Sequence, residues 1–266
     1  MRVLMTGASG TVGTMLRHHW GASYMLRLAD ITEPANIQAH EEFVSFELAS
    51  PEDCVRICAG IDVVVHLAAD AGSADFLGSL LPRNIIGPFH LLEAASATAS
   101  VQRVVLVSSV YAVRGSESKL PVTPDQPPHP MGLYGATKCW VEALGRVYAE
   151  GTAGTPATRT AAAGSNHLGV IVVRLGNPRM DQGSDNWCAD DRAYILTPRD
   201  CAALFARCVD IKHSDIPPFL IVHGSSDHTH QYLDLESTKR WLGYEPQDGT
   251  AHPRRSTGDM TFNGKM

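Results

Sequence analysis

The feature that most constrains the fold is a regular alternation of short apolar runs and longer helical patterns. The apolar runs are rich in β-branched residues and predict buried strands at Arg2–Thr6, Tyr24–Ala29, Phe43–Phe46, Asp62–Leu67, Val104–Ser108 and Val170–Leu175. The helical patterns between them cover Thr11–Trp20, Pro51–Cys58, Ser79–Ala97 and Leu133–Glu150. Such alternation implies right-handed crossovers and a parallel sheet with helices on both faces. The sequence therefore predicts a doubly wound α/β fold.

The C-terminal third offers fewer elements than a second large domain requires. It predicts one good helix (Thr197–Val209), a strand (Phe219–His223) and a short helix (Leu235–Leu242). We expect a single domain over residues 1–266, with a small substrate-binding lid from about residue 176 to 266. A lid of this size favours a small substrate.

Two segments interrupt the alternation. Lys119–Met131 contains five prolines and is expected to be a loop. Gly151–Gly169 is rich in Gly, Ala and Thr without apolar periodicity, and is interpreted as a surface insertion of unassigned role.

Composition excludes several classes of protein. Of 266 residues 44% are hydrophobic and 19% charged, as in globular proteins. Lys and Arg number 22 against 28 Asp and Glu, giving a net charge of −6 without the basic stripe that nucleic acid or an anionic membrane attracts. No apolar run reaches the roughly 18 residues of a membrane span, and no signal peptide opens the sequence. We therefore expect a cytoplasmic protein with neither nucleic-acid nor membrane partners.

The six cysteines carry no redox or metal signature. They form no C-x-x-C pair and no zinc-type spacing. We expect buried thiols in a reducing compartment, and no metal site.

A glycine-rich turn marks a dinucleotide site. Thr6-Gly-Ala-Ser-Gly-Thr-Val-Gly13 follows the first predicted strand and opens the first helix. Glycines at Gly7, Gly10 and Gly13 permit a tight turn, close approach of a pyrophosphate and tight helix–strand packing. The helix N-terminus, at Thr11 and Val12, favours an anion. The context predicts a Rossmann-type cofactor site.

Asp30 closes the second predicted strand. A carboxylate there accepts a hydrogen bond from a ribose 2′-OH and repels a 2′-phosphate, so NAD is favoured over NADP. The alternative is an ordinary turn residue at the end of a strand.

Tyr134 and Lys138 form a chemically useful pair. At i and i+4 they share one face of the helix that begins there. A nearby ammonium stabilises phenolate and lowers the tyrosine pKa, which makes a usable base. Ser108 and Ser109 end a predicted strand at the edge where open α/β sheets bind ligands, so a serine hydroxyl can hold a substrate oxygen beside the phenol.

Together these motifs resemble the extended short-chain dehydrogenase/reductases, the NAD-dependent epimerase/dehydratase family. The resemblance covers nearly the whole chain. It rests on Thr6–Gly13, Asp30, His66-Leu-Ala-Ala69, Asn84, Ser108-Ser109, Tyr134, Lys138 and Arg174-Leu-Gly-Asn177. It implies that Tyr134 is the acid/base, that Lys138 holds the nicotinamide ribose, and that Ser109, or else Ser108, polarises the reacting oxygen. The further NAD contacts that it implies are Ile31, Glu47, Leu48, Leu67, Ala68, Ala69, Asn84 and Leu175.

Within that family several stretches look most like the short uronate dehydrogenases, which oxidise the ring C1 hydroxyl of a uronate to a lactone. A sugar-phosphate dehydrogenase branch looks similar too. The substrate contacts implied are Ser73, Ser109, Val110, Asn177 and Arg192, with Arg179 as a second candidate for the anion. Val110 departs from the pattern, since the uronate enzymes carry Asn there.

Three functional hypotheses follow. The leading one is an NAD-dependent dehydrogenase acting on a hydroxyl of a small sugar or sugar acid. A nucleotide-sugar epimerase or dehydratase with tightly bound NAD uses the same site, but usually needs a larger C-terminal region. A dinucleotide-sensing regulator is the third, and such proteins commonly lose the Tyr/Lys pair that is present here. Because the helices Ser79–Ala97 and Leu133–Glu150 carry apolar residues on more than one face, and pair across a dimer in this family, a homodimer is expected.

Overall fold

A computed structural model describes residues 1–72, 74–115, 120–151, 168–180 and 193–249. Within these ranges the strands are β1 (Arg2–Thr6), β2 (Met25–Asp30), β3 (Glu41–Ser45), β4 (Val63–His66), β5 (Arg103–Ser109), β6 (Gly169–Leu175), β7 (Asn177–Pro178), β8 (Ile195–Leu196) and β9 (Phe219–Gly224). The main sheet has the order β3-β2-β1-β4-β5-β6-β9, and β7 pairs with β8 separately. Every pairing in the main sheet is parallel. The doubly wound Rossmann-type fold is therefore confirmed.

Helices flank the sheet close to the positions that the sequence predicts. They are α1 (Thr11–Trp20), α2 (Pro51–Cys58), α3 (Gly87–Ala97), α4 (Gly132–Glu150), α5 (Pro198–Asp210) and α6 (Glu236–Leu242). The predicted helix Ser79–Ala97 differs, because its first part is a π-helical segment, Phe76–Ile86, that contains Pro82. Proline has no N–H for the α-helical bond, so the helix widens there before α3 continues it.

The β-branched strands fill a core on each face of the sheet. Along β1, Val3 and Met5 pack with α1 and α5 residues on one face, whereas Leu4 packs with α2, α3 and α4 residues on the other. Alternate side chains thus point to opposite faces, and both are apolar because helices cover both.

A smaller apolar group, the loop cluster, joins segments that lie far apart in the chain. It consists of Val110, Val113, Val122, Tyr194 and Leu233. It unites the turn after β5, the proline-rich loop and two C-terminal segments. Val122 also forms a β-bridge with Leu233.

Several sequence-based predictions fall outside the described residues. These are most of the insertion Gly151–Gly169, the substrate candidates Ser73 and Arg192, and the chain beyond residue 249. Among the described residues, no helix has the length and apolar character needed to cross a membrane.

Candidate active site

The glycine turn forms a cradle at the carboxyl end of β1. Gly7 has a φ of +70°, and a Cβ there would lie 2.6 Å from the Ala68 backbone nitrogen. A Cβ on Gly13 would lie 2.5 Å from the Ala8 carbonyl oxygen. Gly10 is the N-cap of α1 and brings no side chain of its own. Only glycines permit this close packing, and it leaves the N-terminus of α1 open to an anionic group.

Asp30 lies beside this cradle at the end of β2. Its carboxylate accepts hydrogen bonds from the Ser9 amide at 3.0 Å and the Thr32 amide at 3.2 Å. These bonds fix a negative charge next to the glycine turn, where it suits a ribose diol and opposes a 2′-phosphate. The cradle and the carboxylate therefore fit NAD.

The end of β4 is locked against β1. The Thr6 hydroxyl lies 2.7 Å from His66 Nδ1 and accepts a hydrogen bond from the Ala68 amide at 3.3 Å. Burial lowers the pKa of His66 to about 3, so the imidazole is neutral at physiological pH. This contact holds Leu67 and Ala68 beside Gly7.

The other cofactor candidates line the same edge with different exposure. Ile31 is exposed, whereas Leu48 and Leu175 are buried. Glu47 follows β3, and its amide donates to the Asp53 carboxylate at 2.8 Å. Ala69 is exposed after β4.

Asn84 braces the site from within the π-helical segment. Its Oδ1 accepts from the Asp70 amide at 2.8 Å, and its Nδ2 donates to the Asp70 carbonyl at 2.8 Å and to Thr137 Oγ1 at 3.2 Å. These bonds tie the loop after β4 to α4. The hydrogen bonds described for Asn84 are thus all with other residues of the chain.

Ser109, Tyr134 and Lys138, hereafter the triad, meet at the carboxyl edge of the sheet. Ser109 ends β5, while Tyr134 and Lys138 lie on the first turns of α4. The Ser109 hydroxyl lies close enough to the Tyr134 phenol to lower its pKa. Lys138 Nζ lies 5.4 Å from the centre of the Tyr134 ring and donates to the Val107 carbonyl at 2.9 Å.

The structure distinguishes the two neighbouring serines. The Ser108 hydroxyl is buried and donates to Glu142 Oε1 at 2.6 Å, away from the phenol. Of the two serine hydroxyls, that of Ser109 faces Tyr134.

The electrostatics of the triad are set by burial and by neighbouring groups. Burial raises the pKa of Tyr134 to about 12; the Ser109 hydroxyl opposes this rise, and Tyr111 and Asp70 add to it. Burial also lowers the pKa of Lys138 to about 8. Burial is the largest influence on the phenol, while the Lys138 ammonium donates to the Val107 carbonyl.

The sequence did not predict Tyr111 and Asp70 as neighbours of Tyr134, nor Arg114 as a neighbour of Tyr111. The Tyr111 ring meets Tyr134 edge-on, with centroids 6.0 Å apart. The Arg114 guanidinium lies 5.3 Å from the centres of both the Tyr111 and Tyr194 rings. Asp70 is near enough to influence the phenol. Their positions in the sequence could have indicated them, since Asp70 follows the His66–Ala69 motif, and Tyr111 and Arg114 follow Ser109.

The predicted substrate contacts are only partly described. Val110 is buried in the loop cluster, and Asn177 lies in β7. The Arg179 guanidinium is 3.2 Å from the side-chain oxygen of Asn177. Ser73 and Arg192 lie outside the described residues.

Comparison with known proteins identifies the family. Residues 3–171 match the NAD dependent epimerase/dehydratase family. The chain belongs to this family. It is an NAD-dependent oxidoreductase of the short-chain dehydrogenase/reductase type, as the glycine cradle and the triad predict.

The similar proteins include several sugar dehydrogenases. An NAD-dependent glucose-6-phosphate dehydrogenase of Haloferax volcanii is 29% identical over 99% of this chain and 97% of its own. A uronate dehydrogenase of Pseudomonas putida is 32% identical over 94% of this chain and 85% of its own. The structure of a variant uronate dehydrogenase from Agrobacterium tumefaciens, complexed with NAD, superposes with a TM-score of 0.76 at 27% identity, covering 93% of this chain and 84% of that one.

Proposed function

We propose that this enzyme oxidises a hydroxyl of a small sugar or sugar acid with NAD, in the manner of a uronate dehydrogenase that converts ring C1 to a lactone. The observation that carries the proposal is the convergence of Ser109, Tyr134 and Lys138 beside the glycine cradle. The uronate and sugar dehydrogenases among its relatives support a small carbohydrate substrate.

The triad supplies proton transfer and orientation. Tyr134, as phenolate, takes the proton of the substrate hydroxyl, and the Ser109 hydroxyl donates a hydrogen bond to the same oxygen. NAD, when bound, accepts the hydride that leaves the carbon, so that a C=O bond forms. Lys138 Nζ lies 5.4 Å from the centre of the Tyr134 ring, and Lys138 would hold the nicotinamide ribose. Because burial raises the pKa of Tyr134 to about 12, we expect oxidation to become faster as the pH rises.

We assign the NAD site to the cradle and to the neighbouring strand ends. The pyrophosphate contacts are Gly7, Gly10, Thr11, Val12 and Gly13, and the ribose contact is Asp30. The remaining contacts are Ile31, Glu47, Leu48, Leu67, Ala68, Ala69, Asn84, Leu175 and the triad members Tyr134 and Lys138.

On the substrate side the assignment is Ser73, Ser109, Val110, Asn177 and Arg192. An arginine fork receives a carboxylate or a phosphate equally well. Arg114 is a further candidate, since two tyrosine rings hold it close to Tyr111, the neighbour of Tyr134.

A sugar-phosphate substrate is the second candidate. The similarity to the glucose-6-phosphate dehydrogenase extends over nearly the full length of both chains, and Val110 replaces the Asn of the uronate enzymes. A nucleotide-sugar epimerase or dehydratase is less well supported. The two sequence relatives so named match over 28% and 49% of their own length.

We further propose that the chain is one domain, residues 1–266, whose C-terminal elements from about residue 176 form a lid. The loop cluster supports this, because it packs Tyr194 and Leu233 onto the turn that follows Ser109. A homodimer is proposed from exposed apolar side chains on the π-helical segment, α3 and α4, namely Leu77, Phe89, Leu133 and Trp140. Cytoplasmic residence is proposed because the cysteines within the described ranges are free thiols.

The test is NADH formation by the purified protein with glucuronate, galacturonate, glucose, glucose 6-phosphate and UDP-glucose. Turnover of a uronate that disappears in Tyr134→Phe supports the first proposal. Turnover confined to glucose 6-phosphate favours the second. Turnover confined to UDP-glucose, or silence on the whole panel with NAD bound, counts against both.

A further inference from the structure

Arg174 belongs to a family motif, yet the proposed reaction gives it no role. It forms a two-pronged ion pair with Glu142, in which Nε and Nη2 lie 2.9 Å from Oε1 and Oε2. The two side chains are only 1% and 5% exposed. The free energy lost when two charges leave water offsets much of the free energy gained from their attraction. A pair buried this deeply is therefore weak evidence that its purpose is to stabilise the fold.

The pair lies directly behind the triad. Glu142 is one turn beyond Lys138 and two turns beyond Tyr134, on the same side of α4. Its Oε1 also accepts from Ser108, which precedes Ser109 in the chain and pairs with Arg174 across the sheet. Strand β5 and helix α4 are therefore joined by Ser108–Glu142 on the buried side and by the bond from Lys138 to the Val107 carbonyl, and Ser109 meets Tyr134 at the reacting edge.

The same arginine reaches a third segment. Its Nη1 lies 3.4 Å from the Pro124 carbonyl, in the proline-rich loop that leads into α4. Helix α4 and the loop before it thus meet at one guanidinium, and strand β5 joins them through the bond from Ser108 to Glu142. Because the guanidinium is planar and binds the carboxylate at two points, it resists both rotation and sliding of α4.

We propose that Ser108, Glu142 and Arg174 are positioning residues that hold Ser109 beside Tyr134 at the reacting edge. This rests on the proposed function, in which Tyr134 is the base. The Ser109 hydroxyl favours the phenolate, so its displacement shifts the rise of activity with pH towards higher pH.

The ionisable neighbours of these groups do not confuse that readout. Tyr111, Asp70 and Lys138 face Tyr134 and are unchanged in the variants below. Behind the triad, burial lowers the pKa of His66 and of His223 to about 3, and at His223 Arg174 adds to the lowering. Because burial is the larger cause at His223, we expect both imidazoles to stay neutral when Arg174 is removed. Burial likewise raises the pKa of the Cys139 thiol.

The test is the double variant Glu142→Met with Arg174→Met, which removes both charges together. Replacing a buried ion pair by apolar residues of similar size is often tolerated, so the variant should fold. We expect kcat at pH 8 to fall about 10- to 100-fold, since small misplacements of reacting groups have effects of this size. The sugar KM should change little, and the pH profile of kcat should move upward.

A matched control exists elsewhere in the chain. Arg17 and Glu41 also form a two-pronged pair, at 2.8 and 2.7 Å, with side chains 12% and 1% exposed. They join α1 to β3, away from the triad. Arg17→Met with Glu41→Met should leave kcat and its pH profile unchanged.

Wild-type kcat and pH profile in the Glu142/Arg174 variant overturn the inference. If that variant does not fold, the test uses Ser108→Ala, which removes only the hydroxyl. A lower kcat with the same upward shift of the pH profile supports the inference, and wild-type values of both overturn it. If the wild type reduces no NAD with any sugar, the proposed function fails but the positioning role remains testable by hydrogen exchange. Faster exchange confined to residues 120–142 supports it, and unchanged or uniformly faster exchange overturns it.

Discussion

The cofactor side and the substrate side of this site are built in different ways. The cofactor side uses glycines and backbone groups: Gly7 packs on the Ala68 backbone, and Asp30 accepts from the Ser9 amide. The proposed substrate side uses side chains, such as Arg114, which lies 5.3 Å from the ring centres of both Tyr111 and Tyr194. The difference teaches that a short glycine motif is enough to recognise the cofactor side, whereas the proposed substrate side depends on side chains that only tertiary packing brings together.

Tyr134→Phe should have the largest effect, because it removes the chemistry shared by both sides. We expect turnover to fall about 10²- to 10⁴-fold, the usual contribution of a general base, with NAD affinity retained. Steady-state kinetics measure turnover, and an NAD titration measures NAD affinity. Tyr24→Phe is the control, because its hydroxyl bonds Asp210 far from the triad and its loss should not alter turnover. If Tyr134→Phe lost NAD affinity and turnover equally, the tyrosine would belong to the cofactor side.

Lys138→Met should also impair turnover. It should in addition change how the free energy of unfolding depends on pH. Burial lowers the pKa of Lys138 from 10.5 to about 8, so between these values the unfolded chain binds more protons than the folded one. Wild-type stability should therefore rise relative to the methionine variant from pH 8 to 10.5. Thermal melts of both proteins across this range measure the difference. A constant difference would mean that Lys138 is not desolvated.

Gly7→Ala tests whether close approach of the backbone governs the cofactor side. The added Cβ would lie 2.6 Å from the Ala68 nitrogen at a φ of +70°. NAD affinity should fall at least about tenfold, given the cost of a side chain in this conformation and contact. Gly60→Ala is the matched control: it has the same φ, but its nearest neighbour is the Arg2 side chain at 3.5 Å. Equal NAD affinity in the two variants would contradict the idea that close approach of the backbone governs the cofactor side.

Asn177→Ala should have the smallest effect and only on the substrate side. We expect the sugar KM to rise by a few-fold, about the value of one neutral hydrogen bond, with the NAD KM unchanged. Measuring both constants separates the two sides. A rise in the NAD KM alone would contradict the division into a cofactor side and a substrate side, since it would assign β7 to the cofactor side.

The strand boundaries show how far pattern alone reaches. β1 and α1 begin and end where the sequence predicts, and the other strands deviate by only a residue or two at most ends. The π-helical segment at Phe76–Ile86 was not foreseen, because its width depends on how Pro82 is accommodated between α3 and its surroundings. Apolar periodicity predicts which face is buried, not the exact winding of the backbone.

The candidate site divides in the same way. Gly7, Asp30, Tyr134 and Lys138 could be selected from spacing, because each belongs to a local motif. The preference for Ser109 over Ser108 came from the family resemblance rather than from spacing, since it depends on which hydroxyl meets α4. The direction of the Tyr134 pKa shift could not be selected from spacing either, because burial is its largest cause and only packing sets burial.

The sequence by itself determined the doubly wound sheet, the NAD cradle and the Tyr/Lys pair, because these follow from periodicity and from glycine and side-chain spacing within short segments. The tertiary structure alone decided the rest. It placed Glu142 and Arg174 behind the triad, turned Ser108 inward, brought Asp70 and Tyr111 to the phenol, and set Arg114 beside Tyr111. Such contacts join residues that are distant in the chain, and their geometry is fixed by the packing of strands and helices rather than by any local pattern.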